Sequence, residues 1–216
     1  SCMHILGKEI EFPPVETAGE EGIIALGGDL AAERLLLAYR SGIFPWYNEE
    51  EPIIWWSPDP RFVLFPGDLK ISKSMQSVLR NGSFRFTINR AFTQVIQHCK
   101  TIYRKDQEGT WITPAVQQAY INLHLKGFAH SAEAWVNGEL VGGLYGIRMG
   151  NVFFGESMFS RKSNASKFAF INYVQQLKKE GVVLIDCQVH TEHLESLGAG
   201  MIRRQQFVEL LNQHIP

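Results

Sequence analysis

Three strand-like segments follow one another at 129–136, 139–148 and 151–159, joined at Asn137-Gly138 and Gly150-Asn151. Asn-Gly between hydrophobic runs specifies a tight hairpin, so the segments predict an antiparallel meander. A helix is predicted next, over 164–180, with Phe170, Tyr173, Val174 and Leu177 on one face and Gly181 to stop it. The apolar segment 182–189 reads as a buried strand, and short helices around 192–197 and 205–212 close the chain.

Ahead of the meander, 72–81 reads as a helix closed by Gly82, and 84–88 as a strand. Asn89 is expected to cap a helix carrying Phe92, Val95, Ile96 and Cys99 at positions i, i+3, i+4 and i+7. Thr113-Pro114 opens another, with Val116, Ala119, Tyr120 and Leu123 as its stripe. Helices, then a meander, then helix-strand-helix is an α+β order. It matches the layout of GNAT-type acyltransferases: an antiparallel or mixed sheet with flanking helices.

The first sixty residues differ in character. They hold six of the nine prolines, together with Trp46, Tyr47, Trp55 and Trp56. Their one clear helix has Asp29 as a candidate cap, Leu35, Leu36 and Tyr39 as its stripe, and Gly42 at its end. So small and loop-rich a unit buries too little surface to stand alone and is expected to pack on the rest of the chain. The expected division is 1–61, a small N-terminal domain, and 62–216, the GNAT-like domain.

The 216 residues carry 45% hydrophobic and 20% charged side chains and a formal net charge of -1. That composition is ordinary for a globular protein and argues against coating nucleic acid by charge alone. Three cysteines with no CxxC pair fit free thiols in a reducing cytosol. No run is long and apolar enough for a membrane span, so no membrane association is expected.

Several residues are candidates for chemistry. An acyl-CoA enzyme of this layout needs a glycine-rich loop whose N–H groups hold pyrophosphate. Here the loop reads Ser160-Arg161-Lys162-Ser163-Asn164-Ala165-Ser166-Lys167, without glycine, which points to another acyl carrier and to no cofactor. Glu156 lies on the last meander strand. Alternation places Phe153 and Ser157 on one face and Phe154, Glu156 and Met158 on the other, unless a bulge intervenes. Asp186 and Gln188 share one face of an otherwise apolar strand and need partners there. They suit either a structural network or the handling of an amine's proton. Trp46 and Trp111 are candidates to stack on unpaired bases, against the commoner role of core filler. Arg61, Lys70, Lys73, Arg80 and Arg85 read as solvated surface. His190 and His193 lack a third metal ligand, and no metal is expected.

At these residues the chain resembles the bacterial leucyl/phenylalanyl-tRNA–protein transferases. The resemblance spans Ala25-Leu26-Gly27-Gly28-Asp29-Leu30, Gly42-Ile43-Phe44-Pro45-Trp46, Trp55-Trp56-Ser57-Pro58-Asp59-Pro60-Arg61 and Glu108-Gly109-Thr110-Trp111-Ile112-Thr113. It continues through Leu140-Val141-Gly142-Gly143-Leu144-Tyr145-Gly146, Gly155-Glu156-Ser157-Met158-Phe159-Ser160, Asn164-Ala165-Ser166-Lys167, Leu184-Ile185-Asp186-Cys187-Gln188 and Ser196-Leu197-Gly198-Ala199.

The resemblance implies a cytoplasmic monomer that takes Leu or Phe, and in some cases Met, from aminoacyl-tRNA. The acceptors would be proteins with N-terminal Arg or Lys, marked thereby for degradation. It implies Trp46 and Trp111 at the terminal adenosine, and a side-chain pocket of Leu144, Phe153, Met158, Tyr173, Leu177 and Ile185. Leu144, Tyr173 and Leu177 depart from the family pattern, in which methionine and phenylalanine are frequent. Lys73, Arg80 and Arg85 would meet the tRNA, and Glu156, Asp186 and Gln188 would surround the reacting groups. Asp186 is then the expected proton acceptor, directly or through Gln188, or else the residue that positions Gln188. Glu156 is expected to hold a cationic acceptor. A CoA-dependent acyltransferase and a non-catalytic RNA-binding module are the alternatives.

Overall fold

The computed structural model describes residues 3–106 and 112–216. Two sheets organise them. The first contains β1 (Ile5–Leu6), β2 (Ile23–Gly27), β3 (Phe44–Pro45) and β4 (Ile54–Trp56), in the order β1-β2-β4-β3. Its helix α1 (Ala32–Arg40) begins two residues later than a cap at Asp29 implies. Ala31 is the N-cap, and Asp29 Oδ1 instead accepts from Ala31 N (3.1 Å) and Arg34 Nε (3.2 Å).

The second sheet is built from β5 (Arg61–Leu64), β6 (Arg85–Ile88), β7 (Ala129–Val136), β8 (Glu139–Met149), β9 (Val152–Ser160), β10 (Leu184–Gln188) and β11 (Gly200–Ile202). Their order is β11-β5-β10-β9-β8-β7-β6. The meander β7-β8-β9 is antiparallel as expected, and β10 returns parallel to β9. The crossover between them is α5 (Ala165–Lys179). The remaining helices are α2 (Lys73–Arg80), α3 (Phe92–Asp106), α4 (Pro114–Leu125), α6 (Glu192–Ser196) and α7 (Arg204–His214).

Two apolar clusters cover the two faces of the large sheet. One packs α5 and Met75 of α2 against Leu144, Phe153 and Ile185. The other joins α3, α4 and α7 to Phe154, and it runs on without a break into Leu35, Tyr39 and Trp55 of the N-terminal unit. That unit therefore shares its core with the large sheet, as its small size requires. Gly142 lets α5 start close to β8: a Cβ there would sit 2.6 Å from the Ala165 side chain. Asn89 does not serve as a simple cap. Its backbone is left-handed and its Oδ1 accepts from Ser131 N (2.9 Å), tying β6 to β7.

Two irregularities shape the space between β9 and β10. The β8–β9 register shifts so that Tyr145 faces Ser157 while Gly146 faces Gly155, leaving Glu156 as an extra residue. This bulge overturns simple alternation: Met158 packs on the α5 side with Phe153, not on the side of Phe154 and Glu156. The second irregularity is in β10, whose pairing with β9 runs only from Leu184↔Val152 to Asp186↔Phe154. Beyond that point β9 stays with β8, and β10 stays with β5 through Gln188↔Phe62. The two strands part, and a hollow opens between them.

Candidate active site

The hollow is a cavity of about 240 Å³. Leu144, Phe153, Met158, Phe170, Ile185 and Leu194 give it apolar walls, and Glu156, Asp186 and Gln188 also line it. Of the side-chain pocket expected from sequence, Leu144, Phe153, Met158 and Ile185 are here. Tyr173 and Leu177 do not line it. They lie one and two turns further along α5 than Phe170; Tyr173 meets the Phe153 ring edge-on at 5.1 Å, and both are buried. Phe170, Leu194 and His193 take part instead. Phe170 stands in the helical stripe read from sequence, but that stripe does not say which of its turns faces a cavity.

Asp186 is fully buried and so is its partner, Arg61. Arg61 Nε donates to Asp186 Oδ1 at 2.9 Å and Nη2 to Oδ2 at 2.7 Å, while Nη1 donates to Gly42 O at 2.8 Å. The guanidinium is sandwiched between Phe207 (4.4 Å to the ring centroid) and Phe44 (4.9 Å). The expectation of a solvated Arg61 is thus wrong. A buried guanidinium needs a carboxylate, and here it lies 125 positions along the chain, which no local pattern reveals.

Gln188 sits at a register shift with φ +65°, and its N–H donates to Asp186 Oδ1 at 3.0 Å. The side chain turns so that Nε2 donates to Glu156 Oε1 at 3.3 Å. Asp186 therefore fixes the loop that aims Gln188, and Gln188 links Asp186 to Glu156. Glu156 is 8% exposed. Its Oε1 also accepts from the Tyr39 hydroxyl, which is hydrogen-bonded in turn to Tyr120. Its Oε2 is buried without a hydrogen-bond partner among the described residues. Burial pushes the Glu156 carboxyl up to about 8, the charge of Asp186 adds to the rise, and the bonds from Tyr39 and Gln188 oppose it.

Trp46 is 41% exposed; its neighbour Trp56 donates from Nε1 to Trp46 O at 2.7 Å. Trp111 lies outside the described residues. Lys73 and Arg80 are exposed on α2, and Arg85 is exposed on β6, an edge strand. At the start of α5, Ser160 Oγ already accepts from Ser166 N (3.1 Å), so that N–H is occupied within the chain. Asn164 is left-handed there and makes no side-chain cap. His190 lies edge-on to Phe62 and contacts Glu195, apart from His193 in the cavity wall. Among the described residues no group of three His, Cys, Asp or Glu is placed to hold a metal ion, and no helix is long and apolar enough to cross a membrane.

Apolar walls with a buried carboxyl among them can receive an acyl group. With the α+β layout, this is the working arrangement of an acyltransferase. Two family models match the sequence: leucyl/phenylalanyl-tRNA protein transferase over residues 63–212, and its N-terminal domain over residues 28–59. The chain belongs to the leucyl/phenylalanyl-tRNA protein transferase family. The transferase of that name from Syntrophobacter fumaroxidans is 56% identical over 211 residues, 98% of this chain and 90% of that one. That of Flavobacterium johnsoniae is 56% identical over 209 residues, 97% and 99% of the two chains. Among solved structures, a GCN5-related N-acetyltransferase from Kribbella flavida is 13% identical with a TM-score of 0.37, over 77% of this chain and 59% of that one.

Proposed function

We propose that this protein, acting in the cytoplasm as a monomer, transfers Leu or Phe from aminoacyl-tRNA to the α-amino group of proteins with N-terminal Arg or Lys, and that the added residue marks them for degradation. The observation that carries this reading is the apolar cavity between β9 and β10 that ends at Glu156 and Gln188. Burying a Leu or Phe side chain there contributes roughly 1.5–3 kcal/mol, and a charged side chain gains nothing. The exposed Trp46 would stack on the terminal adenosine, as would Trp111, and Lys73, Arg80 and Arg85 would meet phosphates of the tRNA body. The acidic first turn of α6, with Glu192 and Glu195 beside the cavity wall, favours a cationic acceptor.

The chemistry needs one proton moved. The amine nitrogen attacks the ester carbonyl, a C–N bond forms, the C–O bond to the ribose breaks, and a proton leaves nitrogen and ends on the ribose oxygen. The free α-amine has a pKa of about 7.7–8.0. Burial raises the Glu156 carboxyl, so its ionised form is a stronger base than an ordinary carboxylate for the proton that nitrogen loses once it has attacked. The Glu156 carboxylate takes the proton and returns it to the departing oxygen. Asp186 is poorly placed for that work, because both its oxygens are engaged by Arg61, and protonating it would leave a buried cation uncompensated. It positions Gln188, which steadies Glu156 and can reach the ester. Most of the remaining acceleration is proximity: two large substrates held in register.

The direct test mixes the protein with leucyl-tRNA and a peptide beginning with Arg. A mass gain of one leucine supports the reading, and its absence contradicts it. Repetition with an N-acetylated peptide must give no gain, and a peptide beginning with Asp must react more slowly.

A further inference from the structure

We propose that Tyr39 and Tyr120 are positioning residues for the transfer: their hydroxyls, hydrogen-bonded in series onto Glu156 Oε1, hold the carboxyl in place at the cavity and favour its ionised form. This rests on the reading of Glu156 as the proton carrier.

The donor order comes from counting hydrogens. Tyr39 has one hydroxyl hydrogen and gives it to Glu156 Oε1, so in the contact between the two phenols Tyr120 donates and Tyr39 accepts. Oε1 receives a second bond from Gln188 Nε2 at 3.3 Å. An oxygen that accepts from two donors is a poor seat for a proton, so the proton of neutral Glu156 belongs on Oε2. That oxygen is buried and free of partners among the described residues, while the residue itself lines the cavity. The chain of hydroxyls thus sets where the carboxyl proton sits and holds Oε1 in place.

The geometry is also protected. Tyr39 and Tyr120 are both fully buried, and burial holds both phenols well above their ordinary range, so they stay neutral donors at any working pH. Their rings are held by neighbours: Tyr39 against Phe154 at 5.3 Å, and Tyr120 edge-on to Tyr145 at 5.9 Å. Tyr39 lies on α1, in the N-terminal unit; Tyr120 lies on α4 and Glu156 on β9. The N-terminal unit therefore reaches into the reaction centre through one hydroxyl. Any effect on the Glu156 proton must be read against the other groups that face it: Asp186 and Gln188 from β10, Arg61 from β5, and Cys187 and His193 in the cavity wall. Among these, the Tyr39 bond is the largest influence favouring the ionised carboxyl.

The test measures single-turnover transfer from leucyl-tRNA to an Arg-initiated peptide across pH 6–9, with wild type, Tyr39→Phe, Tyr120→Phe and Glu156→Gln. Ionisation of the peptide amine is common to all four. Tyr39→Phe should move the remaining rising limb up by about one unit, a loss of about tenfold at pH 7 that is recovered at high pH, with unchanged binding of charged tRNA. Tyr120→Phe, which leaves Tyr39 in place, should move it the same way by less. A Tyr39→Phe profile lowered evenly or left unmoved, in a variant with a normal thermal melt, overturns the proposal. Should Tyr39→Phe fail to fold, an unmoved limb in Tyr120→Phe overturns it instead. Glu156→Gln separates the two readings: retention of both rising ionisations in that variant removes Glu156 as proton carrier, whereas loss of one together with an unmoved Tyr39→Phe limb removes only the tyrosines.

Discussion

Arg61 grips both carboxylate oxygens of Asp186, at 2.9 and 2.7 Å, with neither side chain exposed to solvent. The pair joins β5 to β10 at the point where β10 leaves β9, and through Gly42 O and Phe207 it also holds the N-terminal unit and α7. Sharing a strand face with Gln188 makes Asp186 a candidate reacting group in the sequence; its bonds to Arg61 support the role of a brace.

Breaking one member of this pair leaves the other charged and buried, which costs about 3–5 kcal/mol. Asp186→Asn and Arg61→Met are therefore each expected to lower stability by about that amount in urea unfolding. The double variant Arg61→Met/Asp186→Leu should recover most of the loss but not the activity, because nothing then fixes Gln188. A double variant with normal turnover contradicts the bracing role.

Glu156 also couples stability to pH. The folded state keeps its proton up to about pH 8, from an ordinary value of 4.5, while the unfolded chain gives it up near the ordinary value. Between these limits the folded state binds more protons, so stability falls as pH rises through the window and levels off above it. Across it, wild type should lose up to a few kcal/mol relative to Glu156→Gln, whose side chain does not titrate. Parallel stability-versus-pH curves for the two proteins exclude a raised Glu156.

The donor's side chain is expected to fill the cavity beside Met158, which is only partly buried and flexible. Met158→Trp should occupy that space and lower kcat/KM for Leu and Phe donors by at least about tenfold, near 1.4 kcal/mol, while the melting temperature moves by only a few degrees. Unchanged kcat/KM for both donors in this variant places the acyl side chain elsewhere.

The Trp46 side chain is exposed, its ring tilted against Trp56 at 5.9 Å. Trp46→Ala should leave the melt almost unchanged and weaken binding of charged tRNA by about 1–3 kcal/mol, seen in a filter-binding titration. Unchanged binding removes it from the adenosine site.

The meander, the long helix and the return strand were legible because Asn137-Gly138 and Gly181 leave the chain few choices. Glu156 and Gln188 stood out as polar residues on apolar strands, and the six pocket positions came from the family resemblance; Leu144, Phe153, Met158 and Ile185 of these line the cavity. Two events are not encoded by periodicity. The bulge at Glu156 moved Met158 to the face of Phe153, and the parting of β9 from β10 decided which turn of α5 faces the cavity. Arg61 and the Tyr39 hydroxyl were hidden differently: each finds its partner more than a hundred positions along the chain. Their residue types said that a partner was needed, and only the fold said which.

The assignment on which the mechanism turns is that Glu156, not Asp186, carries the amine's proton. Its sharpest test is single-turnover transfer between pH 6 and 9, comparing Glu156→Gln with Asp186→Asn under saturating charged tRNA. Glu156→Gln should be slow and lose one rising ionisation, while Asp186→Asn should be slow yet keep both. The reverse pattern, with the ionisation lost in Asp186→Asn and retained in Glu156→Gln, contradicts the assignment.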